Sequence, residues 1–366
     1  MTPLRVALDA RDLTAAAPRG MVRYVVGLAR HLPACGVRVT LFHRRREPLN
    51  PKHLAGLGCE VVGLRDAGGL TWEQVAVPLA LARGGFDVYH APAERGVPLL
   101  APCPVLLSIH SATTASYQDL VRRGRLPGPP SRYLGFDPAR VRRWPALYSR
   151  VQLRRANYFA TVSEFSRGEL IRLMKLPASR VTVTPLAVPE MFLGVGPVSD
   201  RPVIRQPYVL FVGGFEAHKN PTGVLDAAAI VRRTRPDVSV VLVGTGTVPP
   251  ELVRDAEGRG FTPGRDAVFL SDVGEELIAV YDGAAAFLSL SWRETFGVPL
   301  LEAMARGVPV VAAAWGAAPE VVGDAGVLVD PRDPAAVFLH KKKGCLFTDS
   351  LSTFISYSYI FKNFIT

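Results

Sequence analysis

Residues 292–311 are Trp-Arg-Glu-Thr-Phe-Gly-Val-Pro-Leu-Leu-Glu-Ala-Met-Ala-Arg-Gly-Val-Pro-Val-Val, a stretch that predicts a loop, a helix and a strand in succession. The apolar run at 284–290 just before it is typical of a buried strand. Pro299 suits a first helical position and Gly307 suits a helix end, so residues 308–314 are predicted to form the next strand. This alternation of strands and helices indicates an α/β fold with a parallel sheet.

Two carboxylates flank the predicted start of this helix. Glu294 lies on the loop, and Glu302 lies in the first turns of the helix. The backbone N–H groups near Gly297 and Val298, together with the helix dipole, favour an anion there. A carboxylate on each side of a phosphate site suits hydroxyls at both ends of a diphosphate, a sugar on one side and a ribose on the other. The alternative to a binding role is that Glu294 is a solvated loop carboxylate and Glu302 an exposed helix residue. Two glutamates at such a spacing are usually of this kind.

The spacing of these glutamates and the residues around them also resemble a known family signature. Glu294-x7-Glu302, with Phe296-Gly297 between them and Ala-Met-Ala-x-Gly-x-Pro-Val-Val after them, resembles the signature of the retaining GT-B glycosyltransferases of group 1. That family includes bacterial mannosyl- and glucosyltransferases. The resemblance implies two doubly wound Rossmann-like domains facing a cleft. It also implies a nucleotide diphosphate sugar as donor, a glycan or lipid-linked acceptor, and front-face substitution with retention.

The same resemblance assigns roles around the helix start. Glu302 is expected to hold the ribose and Glu294 the sugar hydroxyls. The amides of Gly297 and Val298 are expected to hold the diphosphate, and Phe296 belongs to the same donor site. Glu294 is therefore the first of three residues predicted to be catalytic.

The domain organisation follows from length and from the repeated α/β pattern. A chain of 366 residues is long enough for two domains of ordinary size. Residues 1–193 begin with a β-α-β pattern and are predicted to be the N-terminal, acceptor-side domain. Residues 194–207 are rich in Gly and Pro and form the predicted linker. The alternation then restarts, and residues 208–339 are predicted to be the nucleotide-sugar-binding domain.

A second predicted anion site follows the strand at 208–212. Its sequence, residues 213–220, is Gly-Gly-Phe-Glu-Ala-His-Lys-Asn. A departing diphosphate needs its charge neutralised by a metal or by fixed cations and dipoles. The chain contains no Asp-x-Asp pair, so no metal is expected and Lys219 is the predicted catalytic cation, with Gly213 and His218 beside it in the donor site. Relatives often carry arginine where His218 stands, so His218 is expected either to act as a weaker, pH-sensitive donor or to leave phosphate binding poorer.

A third catalytic candidate lies in the first domain. His110 follows the predicted strand at 105–109, and His90 ends the strand before it. Ligands of open parallel sheets bind beyond the carboxyl ends of the strands, so both histidines are expected to face the ligand crevice. The resemblance implies that His110 hydrogen-bonds the transferred sugar, although a lone histidine at a strand end is more often structural.

Three further residues are assigned to the donor site mainly because of the resemblance. Gly20 is expected to let the backbone approach the diphosphate. Gly244 lies in Val-Gly-Thr-Gly, which lacks the third glycine of a dinucleotide fingerprint, and is expected to line the nucleotide site. Val273 is expected to hold the base through backbone groups.

Charge and composition indicate partners and compartment. The net charge is +11, and the segment Arg122–Arg155 holds ten arginines, one acid and several aromatic side chains. Such a segment is typical of peripheral contact with an anionic membrane. A solvated helical face is the alternative, and no nucleic-acid motif accompanies the segment. No signal peptide, membrane-spanning run or cysteine spacing for a metal is apparent, so a cytoplasmic protein at the inner face of the membrane, with no cofactor, is expected.

The last 27 residues, 340–366, differ from the rest. They contain no Arg or Ala and four of the seven lysines of the chain. We interpret them as an atypical tail, either a frameshift, a truncation or a foreign insertion, which calls the activity of this chain into question. Two further functions remain alternatives: a hydrolysing nucleotide-sugar epimerase of the same architecture, and a non-catalytic glycosyltransferase-like binder.

Overall fold

A computed structural model describes residues 3–14, 20–66, 68, 70–93, 95–124, 150–194, 204 and 207–339. The chain divides into two compact units after Leu186. Each unit is a parallel sheet covered by helices, so the predicted class, two doubly wound Rossmann-like α/β domains, is confirmed. None of the helices within the described ranges is long and apolar enough to cross a bilayer.

The first unit contains seven strands and the helices that connect them. The strands are Leu4–Asp9 (β1), Val37–Arg44 (β2), Glu60–Leu64 (β3), Val88–Ala91 (β4), Val105–Ser108 (β5), Tyr158–Thr161 (β6) and Val181–Val183 (β7). The helices are Gly20–His31 (α1), Pro51–Leu54 (α2), Val77–Gly84 (α3), Thr113–Arg122 (α4) and Glu164–Met174 (α5). A π-helical turn, Trp72–Ala76, leads into α3.

The strand order of the first sheet is β3-β2-β1-β4-β5-β6-β7, and all neighbours are parallel. The direction of winding reverses between β1 and β4. In open α/β sheets the ligand crevice lies beyond the carboxyl ends of the strands at this reversal. Asp9 and His90 lie at those strand ends.

The second unit contains six strands. They are Tyr208–Val212 (β8), Ser239–Gly244 (β9), Ala267–Ser271 (β10), Ala286–Ser289 (β11), Val310–Ala313 (β12) and Val327–Val329 (β13). The helices are Pro221–Arg232 (α6), Pro250–Gly258 (α7), Leu277–Asp282 (α8), Val298–Ala305 (α9), Ala318–Val322 (α10) and Ala336–Leu339 (α11). The strand order is β10-β9-β8-β11-β12-β13, so the winding reverses between β8 and β11.

The sheet of the second unit is buried on both faces. Alternate residues of a strand point to opposite faces, so Val240 and Leu242 of β9 pack in one apolar cluster and Val241 and Val243 pack in the other. Every residue of β9 is buried. Burial on both sides explains why these strands are continuous apolar runs in the sequence, without polar alternation.

The structure differs from the sequence prediction in several places. The pattern does not predict β3, a five-residue strand at the edge of its sheet that contains Gly63. Phe192 was placed in the first domain but is fully buried in the core of the second unit, against Tyr281. Most of the predicted linker 194–207, most of the basic segment Arg122–Arg155 and the tail 340–366 lie outside the described residues.

Candidate functional site

The reversal point of the second sheet brings two distant loops together. β8 and β11 are adjacent and parallel, with Ala286 opposite Val209. The loops that follow them therefore leave the same edge of the sheet. The backbone N–H of Trp292 donates to the carbonyl of His218 (2.9 Å), and the Asn220 side chain donates to the carbonyl of Leu290 (2.9 Å).

Asn220 also fixes the end of the first of these loops. It has a left-handed φ of 55°, which asparagine tolerates better than most residues. Its side-chain oxygen accepts from the N–H of Gly223 (3.1 Å) and so caps α6. Because the same side chain holds Leu290 of the other loop, this cap also fixes the position of its neighbour Lys219.

The two predicted residues Lys219 and Glu294 form an ion pair at this edge. The Nζ atom of Lys219 lies 2.8 Å from Oε1 of Glu294 and 3.1 Å from Oε2. The hydroxyl of Ser291 donates to the same Oε1 (2.9 Å). Burial alone would raise the pKa of Glu294, but Lys219 and the Ser291 hydroxyl hold it below its ordinary value. Glu294 is therefore a buried, ionised carboxylate.

The pair keeps capacity for a ligand. An ammonium has three N–H donors, so at least one donor of Lys219 remains for a phosphate oxygen. A carboxylate has about four acceptor positions. Lys219 and Ser291 make three contacts with Glu294, two of them on Oε1. An acceptor position on Oε2 remains for a sugar hydroxyl, so binding does not require the pair to break.

The second glutamate is held by the core of the unit. Glu302 is 2% exposed, and its Oε2 accepts from the hydroxyl of Tyr281 at 2.9 Å. Glu294 is 9% exposed. The alternative of two solvent-facing glutamates is therefore wrong.

The start of α9 depends on glycine. Gly297 has a φ of 96°, and a Cβ there would lie 2.7 Å from the Leu300 side chain. Among the described residues no side chain caps this helix start. Its first N–H groups are thus left to other acceptors, which fits the predicted anion site at Gly297 and Val298. The adjacent Phe296 is 6% exposed and anchors the turn.

Gly316 supports Glu294, and the sequence reasoning missed it. Gly316 follows β12 and has a φ of +67°; a Cβ there would lie 2.5 Å from the backbone oxygen of Glu294 and 2.7 Å from its nitrogen. The next residue, Ala317, donates its N–H to that oxygen (3.0 Å). The only signal in the sequence is a glycine after a predicted strand, which does not say what it contacts.

The remaining donor-site candidates lie at the same edge of the second sheet. The loops after β9 and β10 are joined, since the N–H of Asp272 donates to Gly244 (3.0 Å) and the Asp272 carboxylate accepts from Gly246 (3.1 Å). A Cβ at Gly244 would lie 2.5 Å from the ring of Phe215. The side chain of Val273 packs on the core, which leaves its backbone groups as the part that could contact a base.

Gly213 and His218 belong to the loop after β8. A Cβ at Gly213 would lie 3.0 Å from the ring of Phe211. Burial and the charge of Lys219 lower the pKa of His218 to about 4. His218 is therefore neutral at pH 7, and the positive charge of this loop at neutral pH comes from Lys219.

Two histidines of the first unit, His90 and His110, lie in a cluster with Tyr24 of α1. The Nε2 atom of His90 is 2.8 Å from the Ser108 hydroxyl, which is 2.9 Å from the Tyr24 hydroxyl. The rings of Tyr24 and His110 meet edge to face at 4.6 Å. Burial lowers the pKa of both histidines to about 4, with a further contribution from His110 to the shift of His90.

Gly20 starts α1 and is exposed, and no described atom lies within 4 Å of a Cβ built there.

A buried ionic cluster at the reversal point of the first sheet was not predicted. The Arg11 guanidinium binds the Asp9 carboxylate (2.7 Å) and lies 3.6 Å from Glu73. It also lies over the ring of Trp72. Glu73 accepts from Gln152 (2.9 Å). The sequence shows only an Asp-Ala-Arg after β1; the partner carboxylate comes from the π-helical turn, which local pattern does not predict.

No group of three or more His, Cys, Asp or Glu side chains in the described ranges is arranged to hold a metal ion.

The predicted site residues fall into two groups, one at the ligand edge of each sheet. Glu294, Lys219, His218, Gly213, Gly244, Val273 and the start of α9 lie in the second unit. His110 and Gly20 lie in the first.

Comparison with known proteins places both units in glycosyltransferase families. The family described as Glycosyl transferases group 1 matches residues 206–340, and Glycosyltransferase Family 4 matches residues 18–190. The chain is similar to the D-inositol 3-phosphate glycosyltransferase of Frankia alni, 30% identical over 86% of this chain and 83% of that protein. It is also 37% identical to O-antigen chain mannosyltransferase B of Escherichia coli over 194 residues, which is half of each protein.

Solved structures show the same fold. Sucrose-phosphate synthase from Thermosynechococcus elongatus superposes with a TM-score of 0.63 at 23% identity and covers 91% of this chain and 88% of its own. Anabaena HepE in complex with UDP-glucose gives a TM-score of 0.63 at 16% identity, with 93% of this chain and 90% of its own covered. At these identities the likeness is one of architecture.

Proposed function

The chain belongs to the group 1 glycosyltransferases, and from this membership we propose that it moves a hexose, mannose or glucose, from a nucleoside diphosphate sugar to a glycan or lipid-linked acceptor, with retention at the anomeric carbon. The observation that carries the proposal is the Lys219–Glu294 pair (2.8 Å) at the reversal point of the second sheet. A cation beside a carboxylate suits a phosphate group next to sugar hydroxyls, which supports the proposal. The similarity to an O-antigen mannosyltransferase supports mannose and a glycan acceptor.

Each residue of the donor site has a proposed role. Lys219 and the amides of Gly297 and Val298 neutralise the diphosphate, since fixed donors stabilise a departing anion. Glu294 accepts hydrogen bonds from the sugar hydroxyls. Glu302, held by Tyr281, accepts from the ribose hydroxyls.

The chemistry we propose is front-face substitution. The bond between the anomeric carbon and the diphosphate oxygen breaks, and the acceptor oxygen bonds to the same face of that carbon. The acceptor proton goes to the departing phosphate oxygen. The protein then has to position both substrates and hold the developing charge, which fixed cations and dipoles do without a metal ion.

The direct test is a comparison of Glu294→Gln with the wild type in sugar transfer. The amide keeps the shape of the side chain but removes the charge that Lys219 and the sugar require, so a loss of about 100-fold in kcat/KM is expected. Glu251 is an exposed glutamate on α7 and serves as a matched control, since Glu251→Gln should transfer at the wild-type rate. Equal rates for Glu294→Gln and the wild type would remove Glu294 from the site.

A panel of nucleotide sugars with glycan and lipid extracts identifies the substrates by mass spectrometry. Product with the donor sugar attached to an acceptor, in the donor's anomeric configuration, is the expected result. Release of nucleoside diphosphate together with an epimerised free sugar, in the absence of any acceptor, would instead identify a hydrolysing epimerase. Donor binding in calorimetry with no transfer to any acceptor would identify a non-catalytic binder.

A further inference from the structure

Tyr24 of α1 contacts the predicted cleft histidine directly. Its ring lies 4.6 Å from that of His110, centroid to centroid, with an interplanar angle of 87°. The two residues are brought together at the carboxyl end of β5, since the Tyr24 hydroxyl lies 2.9 Å from Oγ of Ser108, two residues before His110. Edge-to-face contact is a preferred arrangement of aromatic rings.

The Tyr24 ring is itself anchored. Its hydroxyl lies 2.9 Å from Oγ of Ser108, and Ser108 lies 2.8 Å from Nε2 of His90. His90 is 4% exposed and Ser108 is 1% exposed. Tyr24 is thus tied at its hydroxyl to two buried residues of β4 and β5, and its ring has little freedom to move away from His110.

His110 has an unused ring nitrogen. Its Nε2 atom is buried, and no described residue offers it a hydrogen-bond partner. The hydroxyl of Ser166 approaches the backbone oxygen of His110 (3.5 Å), so the backbone has a polar contact of its own. The Tyr24 ring packs edge to face against this imidazole. A buried polar atom left without a partner is costly, which favours a ligand group as its acceptor or donor.

We propose that Tyr24 is a positioning residue for His110, with Ser108 and His90 as its anchor. The Tyr24 ring fixes the orientation of the imidazole, and with it the direction of the unpartnered Nε2 atom. This proposal rests on the proposed function, because it assigns Tyr24 to the sugar subsite of that reaction. Tyr24 touches neither the donor nor the acceptor in this arrangement and acts only through His110.

The kinetic test is a double-mutant cycle in the full chain. Tyr24→Leu removes the ring and should lower kcat by about tenfold, since a small displacement of a positioned group is sufficient for such a loss. Tyr24→Phe keeps the ring but loses the hydroxyl anchor to Ser108, so it should lose less activity than Tyr24→Leu. If Tyr24 acts through His110, adding Tyr24→Leu to His110→Gln should cause no further loss. Tyr158 is an exposed tyrosine at the start of β6, and Tyr158→Leu is the matched control.

A second readout needs no substrate. With ¹³C-labelled histidine, the Cε1–H resonance of His110 is assigned by its absence in His110→Gln. We expect this resonance to move in Tyr24→Leu, where the ring current of Tyr24 is lost, and to stay near its wild-type position in Tyr24→Phe and Tyr158→Leu.

The outcomes separate the two proposals. Additive losses in the cycle, or an unmoved His110 resonance in Tyr24→Leu, would overturn the positioning role. The Tyr24 ring also lies 6.2 Å from that of His90, so the His90 resonance is expected to move as well. A displaced His110 resonance together with an unmoved resonance of His218, in the second unit, supports the role and shows that the fold is intact. If the wild-type chain transfers no sugar, the proposed function fails, while the resonance still reports whether Tyr24 orients His110.

Discussion

The ammonium of Lys219 lies 2.8 Å from the carboxylate of Glu294, although the two residues are 75 positions apart in the chain. Both follow strands that are neighbours in the sheet, β8 and β11, at the point where the winding reverses. Neither residue is fully exposed, with 24% of the Lys219 side chain and 11% of the Glu294 side chain accessible. The pair links the phosphate and sugar halves of the proposed donor site.

The contribution of the Lys219–Glu294 ion pair can be tested by replacing Lys219 and measuring the free energy of unfolding at several pH values. Lys219→Met leaves the buried Glu294 carboxylate without its cation, which should cost roughly 1–3 kcal/mol of unfolding free energy at pH 7. The pKa of Glu294 is lowered in the folded chain, so its stabilisation is present above the ordinary pKa of glutamate and is lost as the pH falls through the folded value. The difference in urea midpoint between variant and wild type should therefore shrink from pH 7 to pH 4.

Lys219→Arg is the control for this prediction because it keeps the charge. It should retain most of the stability and part of the transfer activity, whereas Lys219→Met should lose about 100-fold in activity. A stability difference that stays constant with pH would show that the ion pair does not stabilise the folded chain.

Replacement of Gly316 tests whether this glycine positions Glu294, and Gly307 is the matched control. Both have a left-handed φ, +67° and +70°, so alanine should cost roughly 1 kcal/mol of stability at either position. Only at Gly316 would the new Cβ meet the backbone of Glu294, whereas no described atom lies within 4 Å of one at Gly307. Gly316→Ala should therefore lower kcat by about tenfold or more, because it displaces Glu294. Equal kinetics of the two variants in sugar transfer would contradict this role of Gly316.

Tyr281→Phe tests the support of Glu302. The variant removes the 2.9 Å hydrogen bond to the buried carboxylate, at a cost of roughly 1–3 kcal/mol in thermal or urea unfolding. Because Glu302 is proposed to hold the ribose, the KM for the donor should rise. Tyr208→Phe removes a buried hydrogen bond to the Val280 carbonyl instead, and should destabilise the unit without changing that KM. A raised KM in both variants would indicate a general loss of packing.

The buried histidines predict how stability depends on pH. Burial lowers the pKa of His90, His110 and His218 to about 4 in the folded chain. An unfolded histidine has a pKa of about 6.5, so the unfolded chain binds more protons as the pH falls below that value. The free energy of unfolding should therefore decrease between about pH 6.5 and pH 5.

Urea midpoints measured from pH 7.5 to pH 5 check this slope. His90→Asn should flatten it, because one buried neutral imidazole is removed. His31 is exposed on α1, and His31→Asn should leave the slope unchanged. A stability that rises on acidification over this interval would show that these imidazoles are not held neutral.

Local pattern accounted for much of the fold. The bounds of β8, Tyr208–Val212, agree with the prediction to the residue, because this strand is a compact apolar segment between clear boundary residues. The pattern did not predict β3, and it assigned Phe192 to the wrong unit. β3 is a short edge strand interrupted by a glycine, which lowers the strand propensity of the segment. The unit into which a lone phenylalanine packs depends on the path of the chain, which local sequence does not record.

By itself, the sequence determined that this is a two-unit α/β chain and identified Glu294, Glu302 and Lys219 as candidates, since helix starts, apolar runs and residue spacing are local properties. Only the tertiary structure decided that Lys219 pairs with Glu294, that Gly316 makes room for the Glu294 backbone, and that Tyr24 packs on His110. Each of these contacts joins segments that follow different elements of one sheet. The order in which parallel strands lie side by side sets those contacts, and that order arises from packing of the whole unit, not from any one segment.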